Sequence, residues 1–508
     1  MKFNIIFKTK RQIVIEVLNE GIYEIDEYKI YLNDEHIMNS NKVVQSINDL
    51  KPNTTYSLYI ENSTSRSDVI EFTTDFEFVT LNVKAFGAKG DGIQDDTIYI
   101  QAAINSCPKD GRVYLPKGTY NVTSLFLKSD ITIELAKDAT ISAIPQKEKL
   151  PILPGIIESY DEQDEYNLGT WEGNPLDMYA AVITGLYVSN VTICGQGTID
   201  GNASYDNWWA KPKNNLITRP RLVFLNHCSN ITIQGVTLQN SPSWNMHPYF
   251  SNNLRFIDLS LINPKDSPNT DGIDPESCKD VEIIGVFFSL GDDCIAIKSG
   301  KIYMGAKHKT PSENITIRQC NMNDGHGAVT IGSEIAGGVK NVIVTDCKFN
   351  NTDRGLRLKT RRGRGKDSVV DNLYFNNIEM DHVLSPFVIN MFYFCDPDGH
   401  TEYVRTKEEL PVDDRTPSIK HVKFENINCI NSHYVGAFFY GLPESKIEKV
   451  EMNNVYVSFA DDATAGHPAM MDDLEEMSKV GIYAQNVEDI QLNNVEIENA
   501  KTEKIIFN

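Results

Sequence analysis

Three things are scarce in this chain: positive charge, paired cysteines and long apolar runs. Lys and Arg number 48 against 70 Asp and Glu, a net charge of −22 at pH 7. A surface that acidic repels nucleic acid and anionic membranes, so neither is an expected partner. It repels an acidic polysaccharide as well, so any binder of acidic sugars has to gather its cations locally. The nine cysteines, at 107, 194, 228, 278, 294, 320, 347, 395 and 429, are odd in number and scattered, with no CxxC pair. That scatter argues against a zinc site or a disulfide framework and for buried thiols in a reducing compartment. Lys8, Lys10 and Arg11 interrupt the first apolar stretch, leaving no signal-peptide core. No run of about 18 apolar residues occurs that could span a membrane. The expected location is cytoplasmic.

What is present is a globular composition, 41% hydrophobic and 23% charged, in 508 residues, long enough for more than one domain. Residues 1–76 read as a small β-sandwich of short strands, such as Ile13-Val14-Ile15 and the alternating Tyr28-Lys29-Ile30-Tyr31-Leu32. The run Leu50-Lys51-Pro52-Asn53-Thr54-Thr55-Tyr56, with Ser57-Leu58-Tyr59-Ile60 and Glu71-Phe72-Thr73-Thr74, resembles the end of a fibronectin type III domain. In that family the tyrosine sits at a corner between strands.

Residues 77–508 read as one further domain. It opens with Asn82 to Gly92, an amphipathic stretch Ile98 to Cys107 that Asp or Thr would cap, and Gly111 to Tyr120 as strand and turn. This block resembles the N-terminal cap of pectin-degrading β-helix proteins. A pattern then recurs: Asn or Asp, apolar, any, apolar. It stands at Asn190, Asn230, Asn253, Asp280, Asn314, Asn341 and Asn372, with His421 and weaker copies at Lys449 and Asp489. The closest copies lie roughly 23 to 34 residues apart, a solenoid period. Units this small cannot bury an apolar face alone and must stack. Short strands and frequent asparagines favour an all-β, right-handed parallel β-helix over a leucine-rich horseshoe. Asn suits its tight turns by tolerating left-handed angles and by pairing its amide between coils.

Four segments carry chemistry: Asn269-Thr270-Asp271, Asp292-Asp293, Gly325-His326-Gly327 and Arg357-Leu358-Lys359. Asp271 and Asp292 are 21 residues apart, His326 follows Asp292 by 34, and Arg357 follows His326 by 31. Neighbouring coils stack at about 4.8 Å, so the three aspartates should cluster and the rest should run along one face. Clustered carboxylates repel, and at least one should keep a proton near neutral pH. Glycoside hydrolysis needs that division of one acid and one ionised carboxylate. Seven cations between Arg354 and Lys366 form the basic patch that an anionic sugar would require.

These segments, together with Asn240 to Pro248, resemble family 28 of the glycoside hydrolases, the polygalacturonases, over about residues 82 to 500. The resemblance implies inversion of configuration at α-1,4-galacturonosyl linkages. It implies Asp292 as general acid, Asp271 and Asp293 as holders of the attacking water, and His326 as support for the acid. Arg357 and Lys359, with Asn269, would bind galacturonate, and Tyr393 stands as candidate for the family's subsite tyrosine. No metal or other cofactor is implied. The Trp171 region, Tyr205 to Trp209 and residues 391 to 416 exceed what bare coils need, and such insertions build or block clefts. Trp208 or Trp209 could stack on a sugar or pack within the cap. A blocked cleft predicts an exo-enzyme releasing units from a non-reducing end. The rival readings are a hydrolase of rhamnogalacturonan or substituted galacturonan, a calcium-dependent pectate lyase, and a non-catalytic polysaccharide-binding β-helix.

Overall fold

The apolar residue of each repeat explains the architecture. Val191, Ile231, Leu254, Val281, Ile315, Val342, Leu373, Val422, Val450 and Ile490 lie side by side in parallel register, one per coil. All but Ile490 are buried. Each such side chain contributes about 1.5–3 kcal/mol when its neighbours cover it, and one core runs the length of the rod. The asparagines just before them behave as their chemistry dictates. Asn190, Asn230, Asn253, Asn314, Asn341 and Asn372 all adopt left-handed φ of 53–57°. Their amides form ladders: Asn230 Nδ2 to Asn190 Oδ1 (2.7 Å), Asn341 to Asn314 (3.1 Å) and Asn372 to Asn341 (2.8 Å).

The computed structural model describes every residue except 19–20, 159–164, 213–215 and 508. It is a parallel β-helix with a long sheet of 22 strands beginning at Thr80–Asn82. A second parallel face runs from Leu125–Phe126 through Ile183–Leu186, Val223–Asn226 and Met246–Tyr249. It continues through Ile295–Ile297, Val329–Gly332 and Arg354–Lys359 to Thr502–Phe507. At the junction isolated bridges keep the pairing, Met246 to Ile273 to Ile295 and Tyr249 to Glu276 to Lys298. Asp271 sits at that junction. The helix Thr97–Ser106 covers the first coil with Ile100, Ala103 and Ile104. Its expected cap differs: the Asp96 carboxylate accepts the Lys89 and Gly90 amides, while Asp95 takes the Thr97 amide and hydroxyl. Among the described residues, no helix is long and apolar enough to cross a membrane.

Ahead of the rod, antiparallel strands form a sandwich. One sheet holds Phe3–Lys8, Ile13–Val17 and Val44–Ile47; the other orders Glu35–Lys42, Glu24–Leu32, Thr55–Glu61 and Ile70–Thr73. It has its own core, and Val14, Val43 and Val44 pack on Ile257 and Ile284 of the long sheet. Asp258 fastens this seam, accepting from Lys42 Nζ (2.8 Å) and from the amide and hydroxyl of Ser46. Arg318 adds a forked bond to Glu16 (2.9 Å to each oxygen).

Insertions cover the outward side of the second face. Upstream of Asp271, Leu153, Met178 and Ala180 pack on Phe224 and Tyr249. Asn167 accepts the Tyr249 hydroxyl, and Asn226 Nδ2 donates to the Asn167 carbonyl (2.8 Å). Trp171 stacks on Trp244 at 6.0 Å. Downstream, the segment after Phe459 lies against Arg354 through the Pro468 and His467 carbonyls. Its Asp472 meets His400 of the 391–416 insertion at 2.9 Å. Trp208 and Trp209 take the packing role of the two anticipated for them: both are buried with Ala203, and Trp209 Nε1 donates to the Ser241 carbonyl.

Candidate active site

Glycines set where the carboxylates point. Gly272 lies directly against the Cys294 carbonyl, and a Cβ at Gly325 (φ +108°) would come within 2.5 Å of the Asp292 carbonyl. A Cβ at Gly327 would meet Asp293 Oδ1 at 2.8 Å. Only bare backbone lets these turns approach. The Gly272 amide donates to the Asp293 carbonyl (3.0 Å), and the Asn245 side chain donates to the Asp271 carbonyl (2.8 Å). The result brings one oxygen each from Asp271, Asp292 and Asp293 within 4.8 Å of one another.

Environment separates the three. Asp293 has a side chain 1% exposed, with Oδ1 on Arg357 Nη1 (3.1 Å) and Oδ2 on Lys359 Nζ (2.9 Å). Burial works against its charge, but the Lys359 and Arg357 cations outweigh burial and hold its pKa far below the carboxylate range. Asp271 lacks such a partner. Burial first, then the Asp292 and Asp274 charges, push its pKa well up. Asp292 is the accessible member, its side chain 19% exposed, and its Oδ1 lies 3.1 Å from His326 Nδ1. That bond raises the His326 pKa.

The register explains the cations: Thr330 faces Arg357 and Gly332 faces Lys359 across one ladder. Asp271, Asp292, Asp293, His326, Arg357 and Lys359 are thus brought together, while Asn269 meets Arg219, its Oδ1 accepting from Nη2 (2.6 Å). Tyr393 joins them, its ring centroid 5.4 Å from Lys359 Nζ. The basic run, however, is not one free patch. Arg361 pairs with Asp396 and Asp398, Arg362 with Glu444, Arg364 with Asp396 and Lys366 with Asp414. Those four are cross-links between insertions, and only Arg357 and Lys359 reach the carboxylates.

The residues not singled out as functional lie beneath. Lys298 sits between Glu334 (3.3 Å) and Asp274 (3.8 Å), and His247 Nε2 bonds Glu276 Oε2 at 2.9 Å. Burial, then the Glu334 charge, push Glu276 up to about 8. Arg221 is wedged between Trp171 (4.6 Å) and Trp244 (4.5 Å). The signal for this layer in the sequence is the run Arg219-Pro220-Arg221 in an acidic chain. The three aspartates are the group that could hold a metal among the described residues. Asp293 already has both oxygens on cations, whose charge opposes a further one.

Comparison with known proteins agrees with this geometry. The model of glycosyl hydrolases family 28 matches residues 112–469, and that of rhamnogalacturonase A/epimerase, pectate lyase-like proteins matches 80–140. A probable polygalacturonase of Vitis vinifera is 30% identical over 74% of this chain and 73% of its own length. An endo-polygalacturonase of Pectobacterium parmentieri is 33% identical over 58% and 72%. Among solved structures, the hyperthermoactive exopolygalacturonase of Thermotoga maritima matches with TM-score 0.65 at 25% identity, covering 84% of this chain and 93% of that one. The family 28 exopolygalacturonase of Yersinia enterocolitica shares the fold over 99% and 97%, with TM-score 0.72 at 20% identity. With four motifs converging on one cluster and the family model spanning most of the rod, the chain belongs to family 28 of the glycosyl hydrolases.

Proposed function

We propose that this enzyme hydrolyses α-1,4-galacturonosyl linkages of polygalacturonate and oligogalacturonides with inversion, acting from the non-reducing end. The observation that carries exo action is the blocked face: upstream of Asp271, Asn167, Leu153 and Met178 cover the strand positions along which a polymer would continue. Downstream insertions tied by His400 and Asp472 add a second wall. A chain end fits such a pocket and a chain middle does not.

In this reading burial, then the neighbouring Asp292 charge, raise the Asp271 pKa, so the cluster holds a proton next to Asp292. Asp292, the member open to the cleft, protonates the leaving oxygen, while Asp271 and Asp293 hold the water. His326 keeps a proton beside the acid, and spare donors of Arg357 and Lys359, with Tyr393 and Asn269, bind galacturonate. Inverting sites usually separate their carboxyls by ~6.5–9.5 Å, more than found here. The alternative is a covalent intermediate, which needs a free carboxylate nucleophile. Asp293 has both oxygens bound and Asp271 is buried, which favours water. Proton NMR of freshly released product decides: the β-anomer supports inversion and the α-anomer overturns it.

End-product analysis of defined oligogalacturonides tests the exo assignment. Release of galacturonate or dimers supports it; a ladder of intermediates with rapid viscosity loss overturns it. Rhamnogalacturonan or a substituted galacturonan is the second reading, because the same carboxylate grip serves several backbones. We further propose a cytoplasmic location, supported by nine unpaired thiols, eight of them buried. A fibronectin type III-like reading of the front domain is supported by its three- and four-stranded sheets and by Tyr56, whose hydroxyl accepts the Lys51 amide (2.9 Å).

A further inference from the structure

We propose that Arg219 is a positioning residue that orients the amide of Asn269, turning its Nδ2 donor toward the sugar. Arg219 is 1% exposed and has no hydrogen bond to a carboxylate among the described residues. Its Nη1 donates to the carbonyls of Pro242 (2.7 Å) and Pro268 (3.0 Å), and its Nη2 to Asn269 Oδ1 (2.6 Å). A guanidinium only donates, so the amide atom facing it must be the oxygen. An asparagine amide is otherwise free to turn over, since its two ends have nearly one shape. With Oδ1 committed, both Nδ2 protons face away from Arg219, at a partly exposed residue two positions before Asp271. The Trp171 ring, 5.3 Å from the guanidinium, covers it with the same insertion that blocks the cleft. One buried cation thus ties the blocking loop, the Pro242 turn and the turn carrying Asp271, and presents a donor to an oxygen of galacturonate. This rests on the galacturonan reading above.

The test is a double-mutant cycle on defined oligogalacturonides. Asn269→Ala and Arg219→Met are each expected to raise KM about tenfold, and the double variant no further. Losses that multiply, or a KM unchanged in Arg219→Met, overturn the proposal. Asn269→Asp keeps an acceptor for Arg219 but has no donor. It is expected to match Asn269→Ala in KM while melting like the parent chain, so the proposal stays testable even if Arg219→Met does not fold. A parental KM in Asn269→Asp overturns the proposal. A parent chain inactive on oligogalacturonides overturns the substrate reading alone. The amide's orientation is then read from melting: Asn269→Leu falls below Asn269→Asp if Arg219 holds Oδ1, and equal melting refutes it.

Discussion

Asp293 and Asp271 share a cluster yet their pKa values move in opposite directions, because Lys359 and Arg357 outweigh burial at Asp293, whereas at Asp271 the Asp292 and Asp274 charges add to burial. Asp292 has the open position, so Asp292→Asn is expected to lower kcat by about 1,000-fold or more with little change in KM, measured by reducing-sugar release. His326 supplies a pH signature. Its pKa is raised by the bond to Asp292, so that bond's stabilisation of the imidazolium is fully present below the free histidine value near 6.5 and is lost as pH rises past the raised value. The alkaline limb of kcat/KM should accordingly lie above about 6.5, and this limb should be absent in His326→Ala. At this scale the sequence is legible where a residue's partner sits one or two coils away. The Asp292–His326 and Asp293–Arg357 contacts follow from a repeat spacing. The basic run misleads because the partners of Arg361, Arg362 and Arg364 are Asp396, Asp398 and Glu444, on later loops whose course no periodicity encodes.

Among elements, coils and insertions obey different rules. The Asn190-to-Asn372 row is legible from the amino acids alone, since left-handed turns and amide ladders are local chemistry. The insertions are irregular, so the sequence shows their length but not their path. Asp396 shows what fixes that path: it accepts Lys301 (2.9 Å), Arg361 (3.0 Å) and Arg364 (2.7 Å) with its side chain 10% exposed. These cations outweigh burial and depress its pKa, so its stabilisation is present above about pH 4, the unfolded value, and fades as pH falls toward the folded one. Asp396→Ala leaves three buried or half-buried cations without their shared partner and should cost about 3–5 kcal/mol in denaturant unfolding. The same variant should release products longer than dimers, because the downstream wall loosens.

For the whole molecule, a net charge of −22 faces a polyanion. Raising ionic strength toward physiological should increase kcat/KM on polygalacturonate severalfold by screening that repulsion, with a smaller gain on short oligomers. Loss of rate with added salt would mean that the local cations dominate encounter. The front domain is bonded to the rod, and Asp258→Ala removes three hydrogen bonds at the seam. About 2–4 kcal/mol of lost stability is expected, with the single melting transition splitting in two.

Asp258 and Ile284, which the front sandwich grips, stand on the turns of the rod that carry Asp271 and Asp292, and Gln234 and Arg318, gripped as well, stand on the turns either side. A module that contributes none of the three carboxylates therefore acts as a splint on the place where bonds are broken. On gentle warming the splint should slacken first, the three carboxylates should lose their alignment, and turnover should vanish while the rod keeps its circular dichroism.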